Sequence, residues 1–379
     1  MSRHAAENSV PDRTPATDSR PTAVVYCEAN FGRPDGKTAN GLVRHSERFR
    51  ILSVIDSFEA GHDAGELLDG KPNGIPVVAD LAAAIELNGG TPTVVIYGMA
   101  PLSGLLSLEE RRVLLDAMAQ GISVVNGLHE FLNEDPEFAA SAVIHHVTIE
   151  DVRRPRDKRD LQMFTGRIFD VTCPRIAVLG TDGAVGKRTT ATIVTQALRD
   201  RGINAVMVST GQTGLIQGAR YGVALDAIPC QFCSGEMEAV VVKAFEAEHP
   251  DVIIIEGQGA LSHPAYLSST FILRGSRPNG VILQHAPSRR FLGDFPEIRV
   301  PDPLSEINLI ETFADTKVIG LTINHENMSD VEVTTAIELY QLELDIPATD
   351  ALTRPVELLV NMVLSAFPEL TPSAIPVAT

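Results

Sequence analysis

Residues Gly180–Thr190 have the sequence G-T-D-G-A-V-G-K-R-T-T. An apolar run, Arg175–Leu179, precedes them and is typical of a buried strand. A helical pattern follows, with one apolar face formed by Ile193, Val194, Ala197 and Leu198. In a strand–turn–helix unit, glycines let the backbone N–H groups of the turn surround an anion at the helix N-terminus. The segment therefore predicts a phosphate-binding loop, with Lys187 as its mobile positive charge.

The residues after this helix indicate where the loop lies in the fold. The helix is predicted to end at Arg199, Arg201 and Gly202, of which the glycine can adopt a left-handed cap. A second apolar strand, Ile203–Ser209, begins immediately afterwards. Such a unit forms a parallel sheet with a right-handed crossover, and parallel sheets bind ligands at their carboxyl edge. The loop is therefore predicted at a ligand-binding edge.

Two positions depart from the common phosphate-loop pattern. Gly180 lies six positions before Gly186, and Arg188 occupies the place of the usual magnesium-binding hydroxyl. Whether Thr189 replaces that hydroxyl is left open. A purely structural strand-to-helix turn is the alternative to a phosphate site. We predict that the cosubstrate is bound by Gly180, Thr181, Asp182, Gly183, Gly186, Lys187, Arg188 and Thr189.

The composition is that of a globular protein with more than one domain. The chain has 379 residues, of which 44% are hydrophobic and 21% charged, and its formal net charge is -18. This charge disfavours binding to nucleic acid or to anionic membranes. No apolar run reaches the ~20 residues of a membrane span, and four cysteines are too few for a disulfide framework. We therefore expect a cytoplasmic protein.

Alternating strand and helix patterns predict two α/β domains. Residues 1–21 are polar and proline-rich and are predicted to form a disordered tail. The first domain is assigned to residues 22–150 and the second to residues 171–379. The charge-dense segment 151–170 between them predicts a solvated linker. Strands of the first domain are predicted at residues 23–27, 49–55, 93–97 and 122–125, and a helix within residues 105–120.

Polar residues follow two predicted strands of the second domain. Glu256 comes directly after the apolar run 251–255, and Gln258 and His263 follow it closely. A carboxylate that leaves a buried strand beside a phosphate loop is well placed as a metal ligand or a general base. Asn324 follows another strand, where its amide either reads an adenine or caps the next helix.

The first domain also has candidate residues at its strand ends. The loop Gly36-Lys37-Thr38 follows the first strand, but its glycine spacing departs from that of a phosphate loop. We interpret it as a positively charged loop lining an interdomain cleft, and a second nucleotide site is the alternative. His129 follows another strand and is interpreted as a structural histidine, with a role as base as the alternative.

Arginines are the expected ligands of a substrate carboxylate, because a guanidinium matches a carboxylate with two hydrogen bonds. Arg220 lies between two glycine-rich turns, and we predict that it binds the substrate together with Arg274 and Gln258. Arg44 of the first domain is a further candidate. The alternative for each arginine is an ion pair at the surface.

Motifs of both domains resemble known proteins. The phosphate loop and the segment D-V-I-I-I-E-G-Q-G-A-L at residues 251–261 resemble dethiobiotin synthetase-like P-loop proteins. A wider set resembles the D-glutamate N-acetyltransferase family, namely Gly36–Thr38, Gly127–Glu130, Ser209–Gly214, Glu256–Pro264 and Thr322–Asn327. The resemblance implies a Rossmann-like N-terminal domain and a P-loop NTPase-like C-terminal domain. It also implies acetyl-CoA as cosubstrate and D-glutamate as the acetyl acceptor.

Acetyl transfer to an amine requires a base near the thioester and donors for the developing oxyanion. We predict His263 as the base, because a histidine with an unperturbed pKa of about 6.5 accepts a proton at neutral pH. Glu256 is predicted to support it, and no metal ion is expected. Two other functions are left open: an ATP- and Mg-dependent ligase, and a nucleotide-gated binding protein. We also expect a homo-oligomer.

Overall fold

The structure is a computed structural model that describes residues 18–370. Residues 1–17 of the predicted tail lie outside the described residues. The described chain forms two α/β domains, each built on a parallel sheet with helices packed against it. The predicted fold class is therefore confirmed.

The first domain contains six strands and five α-helices. The strands are β1 (Thr22–Tyr26), β2 (Arg50–Ile55), β3 (Val77–Val78), β4 (Val94–Tyr97), β5 (Ser123–Asn126) and β6 (Ile149–Asp151). The helices are α1 (Lys37–Arg44), α2 (Ala64–Asp69), α3 (Leu81–Leu87), α4 (Leu108–Ala119) and α5 (Pro136–His145).

The sheet of the first domain has the order β3-β2-β1-β4-β5-β6, and all its strand pairs are parallel. This is the strand order of a Rossmann sheet, in which ligands bind where the order reverses, here between β1 and β4. Lys37 lies on this crevice, because α1 starts soon after β1. The sequence predicted a loop here and missed the helix.

The second domain contains the remaining elements. Its strands are β7 (Arg175–Gly180), β8 (Ala205–Ser209), β9 (Tyr221–Gly222), β10 (Val252–Glu256), β11 (Gly280–His285), β12 (Phe291–Leu292), β13 (Phe295–Arg299), β14 (Lys317–Ile323) and β15 (Ala348–Thr349). Its helices are α6 (Lys187–Arg199), α7 (Gln212–Gln217), α8 (Cys230–Glu248), α9 (Ser268–Ser276), α10 (Pro303–Phe313), α11 (Asp330–Leu344) and α12 (Val356–Ala366).

The main sheet of the second domain has the order β15-β14-β11-β7-β10-β8-β9. Strand β7 is central and all six of its residues are buried. Successive side chains of a strand point to opposite faces, and accordingly Ile176 and Val178 pack into one core while Ala177 and Leu179 pack into the other. The phosphate loop is thus fixed to the middle of a sheet that is covered on both faces.

The two domains contact each other through helices α1 and α7, which begin near the carboxyl edges of their sheets. Oγ1 of Thr38 lies 2.8 Å from Oγ1 of Thr213. Nε2 of Gln217 donates to the carbonyl of Gly41 at 2.6 Å. The ligand-binding edges of the two sheets therefore meet at the interdomain cleft, with α1 on its first-domain side.

The predicted linker 151–170 is only partly solvated. Asp151 is the last residue of β6, and the side chain of Arg153 is 7% exposed. Ile168 is also buried, and Arg156 pairs with Glu236 of α8 at 2.7 Å. The charge-dense pattern suggested solvation because the acidic partners of its arginines are distant in the sequence.

Candidate active site

The phosphate loop has the geometry of an anion site. Gly186 has a φ of 106°, a conformation that favours glycine, and α6 begins at the next residue. Among the described residues, the backbone N–H groups of residues 184–189 have no acceptor. Free N–H groups at a helix N-terminus bind phosphate. This part of the predicted loop is therefore built to hold an anion.

Lys187 lies folded against this loop. Its Nζ donates to the carbonyl of Asp182 at 2.5 Å, and the whole residue is 6% exposed. Burial lowers the pKa of Lys187 to about 8, with Lys37 and Arg289 acting in the same direction and Asp182 opposing them. An anion in the loop would offset this burial, because it stabilises the charged ammonium.

An arginine that the sequence analysis missed clamps the loop. Nη1 of Arg289 donates to Oδ2 of Asp182 at 2.8 Å and to the carbonyl of Gly183 at 2.7 Å. Its Nε and Nη2 each donate at 2.8 Å to the carboxylate of Glu326. The hairpin β12–β13 follows Arg289, and its Gly293 N–H donates to Asp182 at 2.9 Å. This hairpin, also not predicted, therefore lies against the loop.

Glu256 is buried at the end of β10, beside the phosphate loop. Its carboxylate accepts the N–H of Thr210 at 3.3 Å and lies 3.9 Å from Nε of Arg188. Burial raises the pKa of Glu256, while Arg188 lowers it. A Cβ at Gly214 would lie 2.2 Å from Oγ of Ser209 and 2.9 Å from the carboxylate, which explains the glycine in α7. The structure thus brings Glu256 and Arg188 together, as predicted for residues at this edge.

His263 lies in the same region, but its ring is fully inaccessible to water. Nδ1 accepts the N–H of Ala265 at 3.2 Å, so that Nε2 carries the proton of the neutral ring. Nε2 has no hydrogen-bond partner among the described residues and lies 3.9 Å from Asp182. The ring stacks on Tyr266 at 4.4 Å. This geometry disfavours the predicted role as base, because the only lone pair is already occupied.

The side-chain amides of Asn324 and Gln258, two predicted ligands, form hydrogen bonds to neighbouring loops. Nδ2 of Asn324 donates to the carbonyl of Val185 at 3.1 Å, and its Oδ1 accepts the N–H of Glu326 at 2.9 Å. Nε2 of Gln258 donates to the carbonyl of Thr210 at 2.5 Å. Asn324 therefore supports the phosphate loop, and its amide is not free to read an adenine.

Hydroxyl groups of the loop have different surroundings. Oγ1 of Thr181 lies 2.8 Å from Nδ1 of His285, a buried histidine whose pKa burial lowers to about 4. Oγ1 of Thr190 donates to Gln284 at 2.6 Å. Thr189 is half-buried and makes no side-chain hydrogen bond within residues 18–370.

The predicted substrate arginines make other contacts at the surface in the described conformation, and their role in substrate binding stays a prediction. Arg220 pairs with Glu248 at the far end of α8, and its side chain is 74% exposed. Arg274 is exposed and packs over the ring of Phe313, 4.9 Å from its centroid. Arg44 forms a 2.7 Å ion pair with Asp69. Arg220 and Arg44 thus form the surface ion pairs that were the alternative, whereas Arg274 makes a ring contact.

Charged residues of the first domain and the connector line the opposite side of the cleft. Nη2 of Arg153 donates at 2.8 Å to both Gln212 and Asp226, and Nη1 donates to the carbonyl of Gly127 at 2.6 Å. His129 lies next to the same carboxylate, with its Nε2 3.8 Å from Oδ2 of Asp226. The sequence did not indicate Arg153 and Asp226 as site residues, since neither belongs to a motif.

Lys37 also faces this cleft. Its side chain is accessible to water, but protein atoms surround it on most sides. Desolvation by these atoms and the charge of Arg153 lower the pKa of Lys37. Asp294 of the hairpin and Asp226 raise the pKa. The charge of Lys37 also lowers the pKa of Lys187 and of His129, so Lys37 lies near both groups.

Comparison with known families identifies the chain. The model described as "Domain of unknown function (DUF1611_N) Rossmann-like domain" matches residues 57–155. The model described as "Domain of unknown function (DUF1611_C) P-loop domain" matches residues 162–360. The chain belongs to the DUF1611 family. A crystal structure of a DUF1611 family protein from Anabaena variabilis is 30% identical, with a TM-score of 0.83, and covers 91% of this chain and 100% of its own.

Two curated relatives of this DUF1611 chain have named activities. A protein of Tritonibacter scottomollicae named D-glutamate N-acetyltransferase is 32% identical over 268 residues, which are 69% of this chain and 78% of the relative. A protein of the same name from a Pseudoalteromonas species is 31% identical over 272 residues, which are 70% of this chain and 79% of the relative. The predicted family resemblance is thereby confirmed.

Other features of the DUF1611 chain lie away from the cleft. A groove of about 460 Å³ lies between the connector and α8, and three of its arginines, Arg154, Arg156 and Arg167, are paired with glutamates. Within residues 18–370, no group of three or more His, Cys, Asp or Glu residues is arranged to hold a metal ion. Over the same residues, no helix combines the length and apolarity that crossing a membrane requires.

Proposed function

We propose that the protein transfers the acetyl group of acetyl-CoA to the amino group of an acidic amino acid, with D-glutamate as the expected acceptor. The observation that carries this proposal is the similarity to two proteins named D-glutamate N-acetyltransferase over about 70% of the chain. The charged interdomain cleft supports it, because its two sides offer different subsites to an anionic cosubstrate and an anionic acceptor.

The phosphate loop suits coenzyme A. Coenzyme A contains an ADP moiety, whose pyrophosphate can occupy free N–H groups beside a lysine without being hydrolysed. Arg188 replaces the hydroxyl that would hold magnesium in a nucleotide hydrolase, and it supplies another cation beside the loop. We therefore assign Lys187 and the N–H groups of residues 184–189 to the phosphates of acetyl-CoA.

The reaction requires proton transfer in both directions. A base takes a proton from the substrate ammonium, and the neutral nitrogen attacks the thioester carbonyl. The C–S bond then breaks as the amide forms, and the CoA thiolate receives a proton. Donors near the carbonyl oxygen stabilise the tetrahedral intermediate. In this proposal Glu256 helps to orient the ammonium group, since its carboxylate lies beside the phosphate loop at the cleft.

An activity assay on the wild-type chain tests the proposal. The protein is incubated with acetyl-CoA and with D-glutamate, L-glutamate, D-aspartate or D-glutamine, and the products are separated by chiral chromatography and identified by mass. Mass detection is preferred to a thiol reagent, because Cys230 is a free and exposed cysteine. We expect N-acetyl-D-glutamate, and a loss of about 10²-fold in kcat/KM when a carboxylate is replaced by an amide.

Parallel reactions with ATP and magnesium test the other functions. Formation of ADP that depends on an acceptor substrate, without acetylation, would establish the ligase instead. A nucleotide that raises the melting temperature without any turnover would support a nucleotide-gated binding protein, because a ligand of the native state stabilises it.

A further inference from the structure

His129 has the surroundings of a general base. It lies in the loop after β5, on the first-domain side of the cleft, and its side chain is 46% exposed. Oδ2 of Asp226 faces its Nε2 at 3.8 Å, which favours the tautomer with the proton on Nε2. The lone pair of Nδ1 then remains free, and no hydrogen bond to it is found within residues 18–370. His263 lacks such a free lone pair.

The partner carboxylate is held in place across the domain boundary. Arg153 donates to Asp226 at 2.8 Å, and the same guanidinium is fixed by Gln212 and by the carbonyl of Gly127. Because Gly127 precedes His129 by only two residues, this network ties the histidine loop to the second domain. The carboxylate of Asp226 therefore resembles the carboxylate that orients the imidazole in other histidine-dependent enzymes.

Lys37 supplies a cation at the neighbouring strand end. Its ammonium group has no ion pair or hydrogen bond with any described residue. It lies at the crevice between β1 and β4, where a sheet of this order binds ligands. The arginines predicted to bind the acceptor, Arg220, Arg274 and Arg44, instead make ion-pair or ring contacts at the surface.

We propose that Lys37 and His129 form the acceptor subsite, in which Lys37 pairs with a carboxylate of the amino acid and Nδ1 of His129 takes the proton from its ammonium group. This inference rests on the proposed acetyltransferase function. The nitrogen lone pair then forms the bond to the thioester carbon, and the C–S bond breaks. The imidazolium returns its proton to the departing CoA thiolate, so that the histidine is neutral again, and the acylated nitrogen releases its second proton to solvent.

The charges around His129 suit this cycle. Burial, Arg153 and Lys37 lower its pKa, and Asp226 opposes them. The histidine is therefore neutral at pH 7 and able to accept a proton. An incoming carboxylate on Lys37 neutralises one of the two cations, which raises the pKa of His129 and strengthens it as a base in the complex.

The first test compares His129→Gln with His62→Gln, a change at an exposed histidine of the first domain whose side chain hydrogen-bonds to the nearby carbonyl of Glu59. We expect His129→Gln to lower kcat by about 10²- to 10⁴-fold and to remove the acidic limb of the pH profile. The affinity for acetyl-CoA, measured by calorimetry, should not change. His62→Gln should keep the wild-type values.

The second test compares Lys37→Met with Lys71→Met, a change at an exposed lysine of the same domain. Binding of D-glutamate in the presence of CoA is measured by calorimetry, which does not depend on turnover. We expect the dissociation constant to rise by about 10- to 100-fold for Lys37→Met only, as for the loss of a charge-assisted hydrogen bond.

The outcomes separate the subsite from the activity. If the wild-type protein acetylates no acidic amino acid, the proposed function fails, and calorimetry with Lys37→Met still decides whether the subsite binds them. If the wild type is active but His129→Gln keeps more than about a tenth of kcat with an unchanged acidic limb, the inference is wrong. Unchanged binding by Lys37→Met also overturns it.

A measurement on the wild type covers the case in which His129→Gln does not fold. The ring of His129 is assigned by NMR with ¹⁵N-labelled histidine and titrated with and without D-glutamate. Its pKa should coincide with the acidic limb of kcat/KM and should rise when the amino acid binds. A pKa of His129 that differs from the apparent pKa of the acidic limb and does not change when D-glutamate binds would contradict the assignment.

Discussion

Nε of Arg188 lies 3.9 Å from Oε1 of Glu256, and both side chains are largely withdrawn from water. Burial raises the pKa of Glu256, and Arg188 is the largest of the influences that lower it. The cation that replaces the usual magnesium-binding hydroxyl therefore also stabilises the charged form of a carboxylate at the cleft. This relationship makes the stability of the fold depend on pH in a predictable direction.

Replacing Arg188 by methionine should make the free energy of unfolding fall more steeply with rising pH. A carboxyl whose folded pKa exceeds its unfolded pKa holds a proton that unfolding releases, so stability declines as pH rises between the two values. Removing Arg188 raises the folded pKa further, and the loss at neutral pH should be about 3 kcal/mol. Denaturant unfolding at several pH values measures it. In the Arg188→Met/Glu256→Gln double variant, the additional pH dependence of the unfolding free energy should disappear. If it persists, titration of Glu256 is not its cause.

Lys187 should control the affinity for acetyl-CoA more than the chemical step. Lys187→Ala is expected to weaken binding by about 10- to 100-fold, because a charge-assisted contact to phosphate is lost, whereas kcat should change little. Calorimetry and steady-state kinetics separate the two effects. Lys243→Ala, at an exposed lysine of α8, is the matched control. A large fall in kcat with unchanged affinity would contradict the assignment.

The same lysine should make acetyl-CoA binding depend on pH. The pKa of Lys187 is lowered to about 8 in the free protein, so the ammonium loses its charge as pH rises through this value. An anion binds the charged form better, and the dissociation constant should therefore increase above pH 8 in the wild type. Lys187→Ala should lack this step. A wild-type dissociation constant that stays flat through pH 8 would show that Lys187 does not contact the phosphates.

Arg289 should be needed to hold the phosphate loop in shape. Arg289→Met removes donors from Asp182, Gly183 and Glu326 at once. The unfolding free energy should fall by about 3 kcal/mol, since the buried carboxylate of Asp182 loses its partner. Denaturant unfolding measures this loss. The adjacent Arg290 is exposed, and Arg290→Met should resemble the wild type. Equal effects of the two changes would show that the clamp is unimportant.

The position of the phosphate loop and of Glu256 follows from the sequence alone. Both come directly after apolar runs, and the carboxyl ends of parallel strands meet at one edge of a sheet. Glycine spacing identified the loop, and the turn at Gly186 has the left-handed backbone that requires this residue. Patterns of this kind are local, which is why they could be read without the fold.

The partners of the charged residues could not be predicted in the same way. Arg289 and Asp182 are 107 positions apart, and Arg153 and Asp226 are 73 apart. Which arginine pairs with which carboxylate depends on how distant segments pack, and not on spacing. Arg220 shows the reverse case, because its glycine-rich surroundings indicated a site although its side chain reaches Glu248 instead.

His263 should prove dispensable as a base, although it lies beside the phosphate loop. Its Nδ1 accepts the Ala265 N–H, and burial lowers its pKa, so it remains neutral without a free lone pair. In His263→Gln the amide oxygen can accept the same N–H. We therefore expect kcat to fall less than about tenfold and the acidic limb to keep its wild-type position. The pH profile measures both, and thermal unfolding records the cost of losing the stack on Tyr266. A limb that disappears in His263→Gln but persists in His129→Gln would assign the proton transfer to His263.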